Sequence, residues 1–333
     1  MYLPAGIIIG YATILAALLT LIRLYFKKYR NNARFVFHFM GSLLCGTFIF
    51  VMGGWADISF YLKWVFAALY LAVFIFTVRK RSRLGNSGKT GGIGKWYYVF
   101  FKLIFTGIMA FLVLMYFQGR TFPGKAVNLQ FPFRTGAYFV LQGGANRVVN
   151  PAHRNYSITR YGYSMDISKL YPFGNRAKGI MPLDVKDYAI FGDTVLSPCD
   201  GTIIGVEDTV HTNMPGNYNI RYVHGNHVII QAKGYRVFLA HFIKNSIFVK
   251  VGDRVKTGKP IGLAGNSGFS AEPHLHITVI KGYDTNEEEY KADDHNKVES
   301  RPNDRYDDYR YTGTSVPFTF NGQFYIINDI ISK

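Results

Sequence analysis

Pro273-His274-Leu275-His276-Ile277 is the stretch on which the reading of this chain turns. In an extended strand residues two apart share a face, so His274 and His276 project together while Leu275 and Ile277 turn the other way into apolar packing. Two imidazoles on one face can share a metal or divide the work of ligand and acid–base group. A lone His-x-His pair is a weak signal, and the surrounding sequence has to support it. Outward from it, period-two apolar runs alternate with Gly, Asn, Asp and Pro clusters from Asn128 onward. Strands are expected over 163–167, 201–206, 227–231, 236–241 and 274–280, with turns at 198–201, 225–226 and 265–268. The pattern is that of an all-β, antiparallel domain, to which the run 315–331 adds terminal strands.

Two of these strands carry further polar groups of the same kind. In Tyr163-Ser164-Met165-Asp166-Ile167 the carboxylate falls on the face opposite Tyr163, Met165 and Ile167. An Asp on an otherwise apolar strand must be paired or coordinated if it is buried. In Tyr235-Arg236-Val237-Phe238-Leu239-Ala240-His241 a histidine ends a strand otherwise suited to the core. Alone, His241 reads equally well as a satisfied core or rim histidine. Three such positions in one domain point to a shared centre.

In order along the chain stand Val195-Leu196-Ser197-Pro198-Cys199-Asp200-Gly201, Gly225-Asn226-His227-Val228-Ile229-Ile230, Leu239-Ala240-His241, Val251-Gly252-Asp253-Arg254-Val255, Gly265-Asn266-Ser267-Gly268 and Glu272-Pro273-His274-Leu275-His276. Together these motifs resemble the lysostaphin and LytM-type zinc metallopeptidases, over roughly residues 139–280. The resemblance implies a β-rich domain that holds one Zn²⁺ in a groove and cuts peptide bonds of peptidoglycan or its cross-bridges. By position it implies Asp166 and His276 as zinc ligands, and His241 and His274 as the non-ligand pair that handles the water proton and the developing oxyanion. The chemistry is consistent, because zinc lowers the pKa of its water to about 7 and polarises the scissile carbonyl. Imidazoles titrate in the range needed to shuttle the proton.

The sequence departs from the family at one ligand. The usual first ligand is a histidine four residues before the aspartate, and Gly162 occupies that place. A catalytic zinc keeps three protein ligands and leaves one position for water, so a third must come from elsewhere. His153, in Asn150-Pro151-Ala152-His153, is the expected replacement. It resembles an Asn-x-x-His or Asn-x-His element that a branch of these peptidases carries after a Gln-Gly-Gly stretch, here Gln142-Gly143-Gly144. His211, His224 and His227 compete for the role, although the last two precede the Val-Ile-Ile strand, where a solvated or structural role is expected. His295 lies in the polar segment 284–311, which reads as solvated loop without a metal role.

Residues 1–118 read differently from residues 119–333. Four segments, 4–25, 35–53, 58–78 and 96–117, carry the roughly 20 apolar residues that a membrane-spanning helix needs. The first lacks a basic leader and a cleavage site, so it is expected to be retained. The N-terminal domain is thus expected to be an all-α membrane anchor of four transmembrane helices. Net charge is +17, but residues 1–118 hold 13 Lys and Arg against one acid, Asp57, while the rest of the chain is nearly balanced. Eleven of those 13 bases flank or fill alternate connections, at 23–34 and 79–95. Lys and Arg are retained on the cytoplasmic side, so a multi-pass protein of the cell membrane is expected, with its N-terminus and its 119–333 domain extracytoplasmic. The basic excess then belongs to topology and implies a lipid bilayer and a wall peptide as partners, not nucleic acid. Cys45 and Cys199 imply no disulfide framework.

Two other functions fit parts of the chain. Relatives that lose several ligands act as silent wall-binding or hydrolase-activating modules, whereas here one ligand is displaced with a substitute nearby. A four-span transporter or sensor needs ionisable groups inside its spans. The only candidates are His38, Lys63 and Lys102, each near a span end.

Overall fold

A computed structural model describes residues 5–26, 32–82, 94–156, 162–179, 181–281 and 313–333. Polar segment 284–311, and His295 with it, lies outside the described residues. The chain divides into two compact units, one built on residues Ala5–Gln118 and the other on Gly119–Pro172 and Arg176–Lys333.

The first unit consists of helices α1 (Ala5–Phe26), α2 (Asn32–Met52), α3 (Leu62–Ser82) and α4 (Gly94–Gln118). Among the described residues three stretches are long and apolar enough to cross a membrane: Phe35–Met52, Leu62–Lys80 and Val99–Gln118. This corrects the expected four. Helix α1 is 22 residues long, but its described apolar stretch, Leu15–Phe26, falls short of a crossing. Large apolar side chains such as Leu19, Trp64, Leu71, Phe101 and Leu114 point outward. A helix apolar on its outer face is suited to hydrocarbon, not to water. Lys63 sets its ammonium 4.1 Å from the Phe60 ring centroid and 5.0 Å from that of Phe50. A cation over aromatic faces is a satisfied anchor near a span end.

The second unit is built from β1 (Val127–Leu129), β2 (Ala137–Gln142), a short helix α5 (Pro151–Tyr156), β3 (Met165–Leu170), β4 (Thr194–Leu196), β5 (Gly201–Glu207), β6 (Asn226–Ala232), β7 (Tyr235–Phe242), β8 (Arg254–Val255), β9 (Pro260–Leu263), β10 (Leu275–Lys281), β11 (Thr314–Ser315), β12 (Phe318–Phe320) and β13 (Ile330–Ser332). Nine strands form one sheet in the order β13-β2-β3-β10-β7-β6-β5-β8, with β11 also paired to β10. Every pairing in it is antiparallel. The expected strands all occur, and the terminal run supplies β11, β12 and β13. One pair differs from the antiparallel expectation: β1 and β12 run parallel in a separate two-stranded sheet.

Alternation along the central strands decides the core. Met165 and Ile167, Val237 and Leu239, and Leu275, Ile277 and Val279 all lie in one buried cluster, together with Val228 and Ile230. Each such side chain contributes roughly 1.5–3 kcal/mol on burial. The opposite face carries Ser164, Asp166 and Ser168 on or beside β3, and His276 and Thr278 on β10, all of them buried. Polar side chains on a buried sheet face must find partners there.

Candidate metal centre and active site

Strand β10 lies between β3 and β7, and His276 is paired directly with Asp166 on one side and with Ala240 on the other. Directly opposed residues share a face with Cβ atoms about 5 Å apart, so the Asp166 carboxylate and the His276 ring meet by register alone. His276 Nδ1 lies 2.9 Å from Asp166 Oδ1, and its Nε2 faces the Thr278 hydroxyl at 2.9 Å. The Thr278 hydroxyl in turn lies 2.5 Å from that of Ser164. The outer nitrogen is thus occupied and Nδ1 is turned to the centre, the usual way in which a second partner fixes a ligating imidazole.

His153 reaches the same carboxylate from helix α5, with Nε2 3.0 Å from Asp166 Oδ2. The contact is close, but Nε2 is buried and makes no aligned hydrogen bond. Asn150, fully buried, places the helix by donating from Nδ2 to the carbonyls of Ser164 (2.9 Å) and Gly144 (3.3 Å). His153, Asp166 and His276 can each offer one ligand atom with all three inside 4.8 Å of one another. Two imidazole nitrogens and one carboxylate oxygen form a donor set suited to zinc, and a cation would satisfy the orphaned His153 Nε2. Asp166 is buried, which raises its pKa. The His153 and His274 imidazoles beside it outweigh that and hold the carboxyl well below its ordinary value.

His241 arrives by a different route. Simple alternation would put it on the core face with Val237 and Leu239. The β6–β7 register runs from His227↔Ala240 to Asn226↔Phe242, so His241 is the extra residue of a β-bulge. Its φ is +73°, a conformation few side-chain-bearing residues adopt. Bulges re-aim side chains in this way next to active sites. Nδ1 donates to the Ser267 carbonyl at 2.7 Å. Ser267 also binds the bulge through its hydroxyl, which donates to the Phe242 carbonyl at 2.8 Å and accepts from Asn226 N at 2.9 Å. Gly225 and Gly268 make the approach possible, because a Cβ on Gly268 would lie 2.3 Å from Gly225 N. The ring of His241 lies 4.7 Å from that of His274 and 5.8 Å from that of His276.

His274 turns Nδ1 to the Glu272 carbonyl at 2.8 Å and to the Ser270 hydroxyl at 3.1 Å, leaving Nε2 3.5 Å from Asp166 Oδ1. Both His241 and His274 therefore direct Nε2 away from their carbonyl partners. Burial holds His241 well below the ordinary imidazole pKa, and His274 and His276 add to the effect. Burial acts on His274 too, but the Asp166 carboxylate outweighs it and the pKa rises. An imidazole of lowered basicity beside one of raised basicity can divide the roles of base and acid.

The competing histidines stand apart. His211 is exposed with Nε2 3.3 Å from Lys244 Nζ, and His224 and His227 pack on each other and on Phe238, with His227 Nδ1 donating to the Gly225 carbonyl. Neither cysteine is bonded to the other. Sequence reasoning missed Thr278, although period two places it on the face of His276. The carbonyls of Ser267 and Glu272 carry no signal in a side-chain pattern.

The family model for peptidase family M23 matches residues 185–290. This chain carries an M23 peptidase domain. The M23 match contains His241, His274 and His276, whereas His153 and Asp166 precede it. Similar curated proteins include an uncharacterized metalloprotease of Buchnera aphidicola, 36% identical over 28% of this chain and 22% of that protein. The peptidoglycan DD-endopeptidase ShyA of Vibrio cholerae is 30% identical over 36% of this chain and 25% of its own length. The glycyl-glycine endopeptidase ALE-1 of Staphylococcus capitis is 34% identical over 35% of this chain and 27% of its own. The chain thus spans about a quarter of the length of the curated relatives it matches.

Proposed function

We propose that this protein is a membrane-anchored, zinc-dependent endopeptidase that cuts peptide bonds of peptidoglycan or its cross-bridges on the outer side of the membrane. The observation that carries the proposal is the convergence of His153, Asp166 and His276 beside His241 and His274, from four separate elements. A zinc ion held by the first three supplies a polarised carbonyl and a water acidified toward neutral pH. His241, neutral and with Nε2 free to accept, takes the proton of the attacking water. His274 directs an Nε2–H at the carbonyl oxygen as negative charge develops there. The Ser267 carbonyl keeps His241 in the tautomer that leaves Nε2 to accept, and the Glu272 carbonyl orients the His274 ring through its Nδ1–H.

Relatives named for a DD bond in peptidoglycan and for a glycyl-glycine bond support a wall peptide as the substrate class. Outward placement of residues 119–333 rests on the basic connection between α3 and α4 together with the Val99–Gln118 span, and it holds whether or not α1 crosses. The test is digestion of purified peptidoglycan by the full chain in detergent, with chelator and with zinc restored, and mass identification of the fragments. Zinc-dependent release of peptide fragments is expected. A chain loaded with one zinc that releases none would end the hydrolase reading and leave a wall-binding module.

A further inference from the structure

His274 takes its orientation from the Glu272 carbonyl, and Glu272 is itself held by a residue outside the matched family segment. The Glu272 carboxylate pairs with the guanidinium of Arg176 through Oε2 and Nη1, with side chains only 22% and 10% exposed. Arg176 is fixed in turn by its own backbone, since its carbonyl accepts from Ala189 N at 3.0 Å and the next residue, Ala177, bridges to Tyr188. The segment 268–274 that Glu272 belongs to forms no strand. It is tied at other points by Gly216 N to the Ala271 carbonyl at 2.7 Å, by Asn213 Nδ2 to the Gly268 and Ser270 carbonyls, and by the Ser270 hydroxyl, which donates to the Glu272 carbonyl at 2.9 Å. Only the Arg176 pair grips Glu272 by its side chain among the contacts described. A guanidinium–carboxylate pair with little exposure resists rotation more than a surface pair does, because breaking it strands a charge.

We infer that Arg176 is a positioning residue for His274: by clamping the Glu272 carboxylate it fixes the carbonyl that receives the Nδ1–H, and so holds the ring in the orientation that turns Nε2 toward the substrate. This rests on the hydrolase reading for its catalytic consequence, but not for its structural one. Loss of the clamp leaves the Glu272 carbonyl held by the Ser270 hydroxyl alone, at 2.9 Å, and the His274 ring is then less firmly oriented. Ligand residues His153, Asp166 and His276 have partners of their own, so the metal site is left in place.

The test uses the full chain in detergent, loaded with zinc, as Arg176→Ala, Arg176→Lys, Glu272→Gln and the exchange Arg176→Glu with Glu272→Arg. Proton–nitrogen spectra of ¹⁵N-histidine-labelled protein read the hydrogen-bonded Nδ1–H of His274, and wall-peptide hydrolysis reads kcat and KM. Arg176→Ala is expected to lose about 10- to 100-fold in kcat, the range seen for outer partners of site imidazoles, with KM and zinc content unchanged. The downfield Nδ1–H signal of His274 should move upfield or broaden as its hydrogen bond to the Glu272 carbonyl loosens. Arg176→Lys and the exchange should recover part of both. Unchanged kcat together with an unchanged His274 signature would overturn the inference, as would a kcat loss that simply follows loss of zinc. If Arg176→Ala fails to fold, Glu272→Gln is read in the same spectra and decides by the same criterion. If the unaltered chain binds zinc yet hydrolyses nothing, the hydrolase reading falls and the Nδ1–H spectra alone decide the positioning role.

Discussion

His276 and His153 turn a nitrogen to the same carboxylate from elements of opposite character. His276 sits in the middle of a nine-stranded sheet, paired with Asp166 on one side and Ala240 on the other, and its outer nitrogen is occupied by Thr278. His153 rides on a six-residue helix whose placement depends on two hydrogen bonds from one asparagine. The sheet supplies a rigid pair whose geometry follows from register, while the third position is filled by a local device that can be exchanged without disturbing the strands. Gly162, standing where the family places its first ligand, is consistent with such an exchange.

That contrast can be broken by substitution. Asp166→Ala or His276→Ala removes half of the strand pair, and each is expected to abolish zinc retention and lower hydrolysis by on the order of 10³-fold or more, since several kcal/mol of transition-state stabilisation goes with the ion. His153→Ala leaves the pair intact. It should weaken zinc binding without abolishing it, and excess zinc should restore part of the activity. Zinc content after desalting, measured beside wall hydrolysis, distinguishes the cases; equal and irreversible loss in all three variants would mean that the helix and the sheet contribute alike.

Legibility in the sequence follows the same division. Positions on strands could be read because period two is a property of the chain itself: His274-Leu275-His276 and Ser164-Met165-Asp166 state which side chains share a face before any partner is known. Pairing of β3 with β10 was not readable, since register depends on distant residues. His153 could be named only through its resemblance to an Asn-x-x-His element, because a short helix has no periodicity to betray it. The orientation of His241 was hidden for another reason: the bulge that lifts it off the core face arises from a register shift against Asn226 and from the Ser267 carbonyl, and neither leaves a mark on the pattern of Tyr235–Phe242. In the membrane-like unit composition sufficed for α2, α3 and α4, while in α1 the apolar stretch among the described residues is Leu15–Phe26.

A smaller effect separates the strand pair from the bulged histidine. His241 makes no contact that a metal requires, so His241→Ala should keep its zinc and lose about 10²- to 10³-fold in turnover, the range for a positioned general base. A variant that retains turnover would remove His241 from the chemistry and leave its strained φ without a function.

The smallest effect is on stability in the metal-free protein, and its sign follows from the direction of each shift. His241 has its pKa lowered on folding, so below the ordinary value of about 6.5 the unfolded chain takes up a proton that the folded chain refuses, and stability is lost as pH falls. Asp166, also lowered, loses its contribution in the same direction further into acid. His274 is raised and acts oppositely: its contribution is full below about 6.5 and is lost as pH rises through its folded value. His276, lowered by burial, adds to the slope of His241, so between about pH 6.5 and 5 each contributes up to about 1.4 kcal/mol per pH unit for one proton. Chelator-treated full chain followed by thermal unfolding in detergent should show melting temperature falling across that window, and His241→Asn, which cannot take up the proton, should make the fall shallower. An identical slope in the variant would mean that the bulge holds the ring in contact with water, and that burial does not set its basicity.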